Sequence, residues 1–260
     1  MKFKKTFLVL IIIFSIAGVY FHLQSRYVVP ILMYHHIDGD GEDSSLSVSP
    51  ENFRRQMQFL AAHKYNTISL AEFVQSKVKG EKLPHNSVVI TFDDGYADNY
   101  GYAYPVLKEY QIPATIFVIV DAIGEEEFVN LEQMKEMCAS GVITIGSHSL
   151  SHVYLPDRDK TTLEREIAGS KTKLEARLRE KIDFFCYPIG HFNEKIQQIV
   201  KAAGYQAACT TNRGRVETNL NQDLFALKRI KITDSWPNLF IFWVKLSGYY
   251  NLFRTARSPY

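Results

Sequence analysis

Beyond about residue 27, the chain alternates short apolar runs with stretches whose apolar residues recur every three or four positions. Continuous runs rich in β-branched and aromatic residues are typical of buried strands, whereas the wider spacing is typical of amphipathic helices. The predicted strands are residues 28–37, 65–69, 87–92, 114–120, 142–147, 183–187, 205–211 and 226–232. The predicted helices are residues 50–63, 70–78, 98–110, 130–141, 161–178 and 193–204, with a last helix from about residue 235.

This alternation predicts an α/β protein with a parallel sheet, because apolar strand runs without a polar face occur where helices cover both sides of a sheet. Seven or eight strand–helix units favour a deformed (β/α)7–8 barrel over an open sheet. No convincing linker follows residue 40, so residues 28–250 are predicted to form a single domain, followed by a tail at 251–260. In such barrels the functional residues lie at the carboxyl ends of the strands.

The first 27 residues differ in kind, since lysines at positions 2, 4 and 5 precede an apolar run from 7 to 21. Both a secretory signal peptide and an uncleaved signal anchor begin in this way. Residues 15–17 offer a small-x-small cleavage site, but the apolar run continues beyond it and no better site follows. An uncleaved anchor is favoured, although spanning helices usually need about 20 apolar residues. Residues 6–21 are therefore predicted to attach the chain to the cell membrane with its domain outside, and cleavage would instead secrete the domain.

The composition is that of an ordinary globular protein, with 46% hydrophobic and 22% charged residues and a net charge of +2. That charge is too small to indicate a nucleic-acid partner. Neither GxGxxG nor GxxxxGK[ST] is present, so nucleotide binding has no support. The three cysteines, at 138, 186 and 209, are an odd number and widely spaced. They are interpreted as small buried apolar residues in preference to a 186–209 disulfide.

Polar residues gather where the predicted strands end. An Asp-Gly pair alone would predict a turn, but four of the eight histidines also lie at strand ends. These polar residues are His35 and His36 after the first strand, Asp93 and Asp94 in the TFDDG segment, and His148 and His152 in the SHSLSH segment. Because carboxyl ends of parallel strands meet at one edge of the sheet, the pattern favours a functional site there.

The spacing of His148 and His152 is one that metal ligands use. On a helical turn, residues four apart project from the same face. Two neutral imidazoles and one carboxylate then form a site for a divalent metal, with open positions for water and substrate. The motif lacks the glutamate of HExxH proteases, so a general base must come from elsewhere, and Asp93 is available.

Together, the TFDDG, HSLSH and FCYPIG segments resemble the polysaccharide deacetylase family, carbohydrate esterase family 4, whose domain is called the NodB-homology domain. The resemblance covers roughly residues 28–245. It implies a NodB-like barrel that removes acetyl groups from a polysaccharide with the help of a divalent metal, usually zinc. It also implies that Asp94, His148 and His152 are the metal ligands and that Asp93 is the general base.

Two features depart from the usual family pattern. Many members carry an arginine before the Pro-Tyr of the third motif, which tethers the base, whereas this chain has Cys186 there. The late motif with a catalytic histidine is missing after Asp223, and ILMYHHI stands near the start instead. This resembles the circularly shifted branch of biofilm poly-N-acetylglucosamine deacetylases of the intercellular-adhesin type. In that branch the early histidine supplies the general acid, which implies His35, with His36 as the weaker candidate.

The resemblance further implies that the backbone N–H of Ile189 stabilises the oxyanion and that zinc is the metal, with cobalt or nickel as alternatives. Tyr187, Tyr34 and Tyr96 are candidates for a sugar groove, although core packing is the stronger interpretation of each. The expected partner is an acetylated glucosamine polysaccharide, with peptidoglycan, chitin oligomers and acetylated xylan as alternatives. A non-catalytic glycan-binding domain would have lost the base or a ligand, and a metal phosphoesterase would need a second ligand set.

Overall fold

The computed structural model describes residues 27–38, 45–211, 223–234 and 238–250, together with Ser15 and Gly18. The strands are β1 (Ile31–Tyr34), β2 (Asn66–Thr67), β3 (Ser87–Phe92), β4 (Ala114–Val118), β5 (Ile143–Ser147), β6 (Phe184–Cys186), β7 (Ala207–Thr210), β8 (Leu227–Lys228) and β9 (Ile230–Lys231). The α-helices are α1 (Pro50–Ala62), α2 (Leu70–Lys79), α3 (Tyr104–Tyr110), α4 (Leu131–Ala139), α5 (Lys160–Glu164), α6 (Ser170–Leu178), α7 (Glu194–Ala202) and α8 (Leu239–Leu246).

The strands form one parallel sheet in the order β8-β7-β6-β5-β4-β3-β1-β9, and β2 pairs with β3 outside this path. The two outermost strands are consecutive in the chain and are separated only by Arg229. β8 pairs with β7 through Cys209 and Leu227, whereas β9 pairs with β1 through Leu32 and Ile230. The segment 227–231 therefore connects the two ends of the sheet. The result is the distorted, nearly closed barrel that the sequence predicts.

Local signals in the sequence set where the first two helices begin and end. The Ser49 side chain accepts a hydrogen bond from the backbone of Asn52, and Pro50 occupies the first helical position of α1. Ser69 and Glu72 form a capping box at α2, which ends at Gly80 with a φ of 69°. These caps satisfy backbone groups that would otherwise have no partner at the helix ends.

Three predicted elements are interrupted in the structure, and one of them is the helix predicted at 98–110, which begins as the π-helical segment Asn99–Ala103 before α3. The other two interruptions each involve a charged residue. The predicted helix at 161–178 contains a π-helical segment, Arg165–Gly169, between α5 and α6. The predicted strand at 226–232 is two short strands that pair with opposite ends of the sheet. The interruptions at 165–169 and at 229 place a charged residue, Glu166 or Arg229, in the protein interior, where both are buried.

The predicted anchor at 6–21 and the tail at 251–260 lie outside the described residues, apart from Ser15 and Gly18. Within the part of the chain that the structure describes, no helix has the length and apolar character needed to cross a bilayer.

Candidate metal and catalytic site

A pocket of about 330 Å³ opens at the carboxyl ends of the strands. β1 lies beside β3, so His35 and Asp93 follow neighbouring strands. β5, which precedes His148, is not beside β1, because β3 and β4 lie between them. The pocket is lined by Met33, His35, Leu46, Asp93, Asp94, His148, His152, Ile189, Thr211 and Lys231. Five of the residues predicted to be metal ligands, base and acid therefore meet in one cavity.

The three predicted metal ligands lie within reach of one ion. Asp94 Oδ1 is 3.3 Å from His148 Nε2 and 3.6 Å from His152 Nε2. One donor atom from each residue lies within 4.8 Å of the other two. Asp94 Oδ1 is buried and has no hydrogen-bond partner among the described residues. A buried carboxylate oxygen without a partner is costly, and a bound cation would remove that cost.

The orientation of the His148 ring also fits a metal. Its Nδ1 lies 2.8 Å from the carbonyl oxygen of Cys186. A carbonyl only accepts hydrogen bonds, so Nδ1 carries a proton and Nε2 is the nitrogen that can bind a metal. Metal-ligating histidines commonly hold their second nitrogen in this way. Burial acts to lower the pKa of His148, but neighbouring groups, the Asp94 carboxylate among them, raise it overall, so either a proton on Nε2 or a bound metal ion can bridge the 3.3 Å to Asp94.

Burial and the neighbouring His148 lower the pKa of His152, which favours the neutral form that binds metals. The predicted helical turn that would place His148 and His152 on one face is wrong, because the segment between them is a loop. Ser149 and His152 have φ values of 64° and 56°, in the left-handed region. The Ser149 hydroxyl accepts a hydrogen bond from the backbone N–H of His152 at 3.0 Å. This tight turn, and not a helix, brings the two rings to 4.8 Å between centroids.

Glu166 holds this loop and was not predicted as a site residue. Its carboxylate accepts hydrogen bonds from the backbone N–H groups of Leu150 and Ser151 at 3.1 and 2.9 Å, and from the Ser151 hydroxyl at 2.8 Å. The side chain belongs to the π-helical segment and is fully buried. The signal in the sequence was an acid on the apolar face of a helix, three positions after Leu163.

Asp93, the predicted base, is held by Arg229. The guanidinium donates to both carboxylate oxygens at 2.6 Å, and both residues are 1% exposed. Arg229 also donates to the Thr91 hydroxyl at 3.0 Å and to the carbonyl oxygen of Thr210 at 3.3 Å. Burial acts to raise the pKa of Asp93, but the charge and hydrogen bonds of Arg229 outweigh it and hold that pKa well below its ordinary value. Asp93 is therefore a buried carboxylate that stays ionised.

Arg229 replaces the tether that the sequence lacks at Cys186. The Cys186 thiol lies 3.6 Å from Asp93 Oδ1 and 3.0 Å from an Arg229 nitrogen, so all three groups occupy the same buried space. The Arg229 guanidinium belongs to the segment 227–231 that closes the barrel, and not to the strand that ends at Cys186. The sequence could not single out this arginine, because Lys228 and Lys231 flank it in the same short run.

The structure places His35, and not His36, in the pocket. His35 Nε2 is 3.8 Å from Asp93 Oδ2, and the Asn99 side chain donates to the His35 carbonyl at 2.8 Å. Burial lowers the pKa of His35, while Asp93 and Asp94 oppose that shift. His36 lies outside the pocket lining, with Nδ1 2.7 Å from Asp98 and its ring stacked on Tyr96 at 3.5 Å.

Ile189 lines the pocket and is 52% exposed. Its φ of 59° is rare for a β-branched residue and is the kind of backbone strain that occurs at functional sites. The next residue, Gly190, also has a positive φ, and a Cβ there would collide with Thr211. The turn is therefore fixed by close packing against the end of β7.

Tyr187 packs in the core, the stronger of its two interpretations, and is not among the residues that line the pocket. Its side chain is buried, donates its hydroxyl to the carbonyl oxygen of Phe225 at 2.9 Å and stacks on Phe192. Tyr34 is also buried and donates to Gln56. Lys231, in contrast, lines the pocket and was not predicted.

Comparison with known proteins agrees with this geometry. A model of the polysaccharide deacetylase family matches residues 80–208. The YxkH protein of Bacillus subtilis (strain 168), whose name places it among the polysaccharide deacetylases, is 36% identical over 205 residues, which are 79% of this chain and 71% of that protein. The poly-β-1,6-N-acetyl-D-glucosamine N-deacetylase of Staphylococcus aureus (strain MRSA252) is 32% identical over 206 residues, 74% of this chain and 70% of that protein.

The fold is also that of a known deacetylase. The Streptococcus pyogenes deacetylase PplD, solved in complex with acetate, superposes with a TM-score of 0.75 at 30% identity over 82% of this chain and 96% of that chain. The chain belongs to the polysaccharide deacetylase family. The predicted NodB-like barrel and the predicted enzyme class are thereby confirmed, and the relative from Staphylococcus aureus supports the predicted branch.

Proposed function

We propose that this enzyme removes N-acetyl groups from the N-acetylglucosamine units of an extracellular polysaccharide of the poly-N-acetylglucosamine type, using one divalent metal ion, zinc in preference to cobalt or nickel. The observation that carries the proposal is the joint position of the Asp94–His148–His152 donor set, the Arg229-bound Asp93 and His35 around one pocket. The choice of polymer is supported by the early His35, placed in the pocket, and by the relative that acts on poly-β-1,6-N-acetyl-D-glucosamine.

The residues divide the reaction among them. When bound, a divalent ion supplies a positive charge that polarises the acetamide carbonyl and lowers the pKa of a water molecule. Asp93, kept ionised by Arg229, accepts a proton from the attacking water. The water oxygen bonds to the acetyl carbon, and the bond from that carbon to nitrogen breaks. His35, in its protonated form, donates a proton to the departing glucosamine nitrogen, so the products are acetate and a free amine.

Two further features support these roles. His35 Nε2 lies 3.8 Å from Asp93 Oδ2. The base that acts on the attacking water and the acid that acts on the leaving nitrogen are therefore close enough to serve the same acetamide group. The exposed Ile189, with its strained backbone, lines the same pocket, and we assign its N–H to the developing oxyanion. A backbone donor depends on the main chain and not on the side chain, which explains why isoleucine is tolerated at this position.

We also propose that residues 6–21 hold the enzyme in the cell membrane with its domain outside, where the polymer is found. The proposal rests on the basic start and the apolar run of the sequence. The mature N-terminus, read by sequencing of protein isolated from cells, checks it. An N-terminus near residue 18 would show cleavage and would make the enzyme a secreted one.

The function is tested by measuring acetate release from the full-length protein supplied with zinc. We expect faster release from β-1,6-linked N-acetylglucosamine oligomers than from peptidoglycan or chitin oligomers, and release about 10⁴-fold slower from the Asp93→Asn protein. Release from peptidoglycan alone would show that peptidoglycan, and not poly-N-acetylglucosamine, is the substrate. No release from any of these polymers, with metal bound, would favour a non-catalytic glycan-binding domain.

A further inference from the structure

The outer face of helix α8 is apolar. The helix reads LFIFWVKL, in which Lys245 is the single charged residue, and its buried residues are Phe242 and Leu246. Phe240 is 59% exposed and Trp243 is 48% exposed, and their rings lie 5.7 Å apart. A helix on the surface of a soluble domain typically carries polar residues on its outer side, so exposed aromatic residues there are typical of an interaction surface. Phe240 and Trp243 are called the α8 aromatic face below.

The N-terminal part of the described domain starts beside this helix. Tyr27 is buried and its ring contacts that of Tyr249 at 5.8 Å. The backbone N–H of Val28 donates to the carbonyl oxygen of Gly248 at 3.0 Å, and a Cβ at Gly248 would collide with the Tyr27 ring. The chain that precedes residue 27 therefore joins the domain at the C-terminal end of α8.

The distances allow one surface to contact both elements. The apolar run of the sequence ends at Phe21, so residues 22–26 connect it to Tyr27. Five residues span at most about 18 Å when fully extended. The eight residues of α8 extend over about 12 Å. A bilayer that held residues 6–21 would therefore lie within reach of the whole helix.

We propose that the α8 aromatic face rests on the phospholipid bilayer in which residues 6–21 are anchored, an inference that depends on the proposed membrane attachment. Tryptophan and other aromatic side chains favour the boundary between lipid headgroups and acyl chains, because they combine a large apolar ring with tolerance of nearby water. Burying an aromatic side chain there stabilises the bound orientation. An anchor alone would let the domain rotate freely, whereas a second contact beside it fixes the orientation of the domain relative to the membrane.

That orientation has a consequence for the substrate. Tyr27 precedes the amino end of β1, whereas His35 follows its carboxyl end. Eight residues of extended chain separate them by about 26 Å. With α8 against the lipid, the barrel lies on its side and the pocket opens along the membrane surface. Polymer that lies along the cell surface can then enter the pocket from the side of the domain.

The test uses the full-length protein reconstituted into phosphatidylcholine vesicles with brominated acyl chains, which quench tryptophan at the lipid boundary. The chain has two tryptophans, so Trp236→Phe leaves Trp243 as the single fluorophore. We expect brominated vesicles to quench Trp243, compared with the same protein in unbrominated vesicles. Adding Phe240→Ser should weaken the quenching without changing the turnover of a soluble acetylated oligomer, since Phe240 is not among the residues that line the pocket.

A matched control places the fluorophore elsewhere. Tyr102 is 53% exposed and belongs to the π-helical segment Asn99–Ala103, which contacts helix α1. The Trp236→Phe/Trp243→Phe/Tyr102→Trp protein should bind the vesicles equally well but should not be quenched. Equal quenching at both positions would contradict a defined orientation.

Three results would overturn the proposal in distinguishable ways. If the protein floats with the vesicles while Trp243 remains unquenched, the anchor is supported and the contact of α8 with lipid is refuted. If the protein does not bind the vesicles, the anchor and the contact are both refuted. Acetate release in solution would still test the proposed chemistry independently. A dimer that Trp243→Ser converts to a monomer would show that a second copy of the chain covers the α8 aromatic face.

Discussion

Asp93 and Asp94 are neighbours in the chain, yet their carboxylates lie in opposite environments. Both oxygens of Asp93 receive hydrogen bonds from Arg229 at 2.6 Å, so its charge is balanced within the protein. Asp94 Oδ1 is buried without a hydrogen-bond partner among the described residues and faces two imidazoles. A carboxylate with a fixed counter-ion is suited to remain ionised, whereas one with an unsatisfied oxygen is suited to bind a metal.

The backbone creates this difference. Asp94 has a φ of 70° and Gly95 a φ of 78°, so the chain turns sharply after Asp93. A Cβ at Gly95 would lie 2.7 Å from a methyl carbon of Val118, so only glycine fits without a shift of its neighbours. Two like charges can therefore stand side by side, because the turn directs Asp93 to Arg229 and Asp94 to His148 and His152.

The largest expected effect separates the two carboxylates directly. Asp93→Asn should lower turnover by about 10⁴-fold, because the amide cannot accept the water proton, while metal content is unchanged. Asp94→Asn should lose the metal as well as the activity. Metal analysis and acetate release on the same purified samples check both statements. If Asp93→Asn loses its metal and Asp94→Asn retains it, the division of roles is reversed.

His35→Ala tests whether the acid belongs to the Asp93 side of the site. We expect turnover of an acetamide to fall by about 10²–10⁴-fold, with little change in metal content. The loss should be smaller for an activated acetyl ester, because that leaving group needs no proton. Parallel kinetics on both substrates check this. An equal loss on amide and ester would make His35 a structural residue and would direct the search for the acid to His36 or His191.

Arg229→Met tests whether the fixed counter-ion is needed. Breaking a buried ion pair leaves an uncompensated charge, so the free energy of unfolding should fall by about 3–5 kcal/mol. Turnover should fall by about 10²-fold through misplacement of Asp93. The double variant Arg229→Met/Asp93→Leu should recover stability but no activity. Thermal unfolding and turnover measured together separate folding from positioning, and unchanged turnover in the single variant would show that Arg229 does not position the base.

The same variant has a predicted pH dependence. Arg229 depresses the pKa of Asp93, so the stabilisation is present above the ordinary aspartate pKa of about 4 and is lost as the pH falls through the lower folded-state pKa. The stability difference between the native protein and Arg229→Met should therefore be constant near neutral pH and shrink in acid. A difference that grows in acid would contradict the ion-pair explanation.

Glu166→Ala should have a smaller effect, on the metal side of the site. Alanine has no oxygen to accept the hydrogen bonds that Leu150 and Ser151 donate, so the loop between His148 and His152 loses part of its support. We expect metal affinity to fall by about tenfold, as for other residues that orient metal ligands. Competition with a chelator measures it. An unchanged affinity would show that the tight turn at Ser149 suffices to hold the loop.

The smallest expected effect concerns His36, beside the site. Burial acts against its charge, but the hydrogen bond from His36 to Asp98 prevails and raises the pKa of His36. The raised pKa stabilises the fold below the ordinary histidine value of about 6.5, and this contribution is lost as the pH rises through the folded-state pKa. Asp98→Asn should cost about 0.5 kcal/mol in mild acid and less above pH 8. Thermal unfolding at both pH values checks it, and an effect independent of pH would contradict the assignment.

The sequence by itself determined the strand–helix order and the position of each chemical group along the chain. Apolar runs and their spacing reflect burial of each element, which is a local property of the chain. Asp93, Asp94, His148 and His152 could be predicted together because parallel strands bring their carboxyl ends to one edge. The capping serines at positions 49 and 69 likewise act within a few residues of their own position.

Only the tertiary structure decided which groups pair across long distances. Arg229 lies 136 positions after Asp93 and reaches it because β8 and β9 close the barrel. Glu166 supports the histidine loop because a π-helical turn moves it into the interior. The contacts of Arg229 and of Glu166 depend on closure of the barrel and on packing between elements far apart in the chain. The spacing of residues along the sequence does not predict such contacts. The sequence favoured core packing for Tyr187 over a substrate contact, and the burial of its ring in the structure decided between the two.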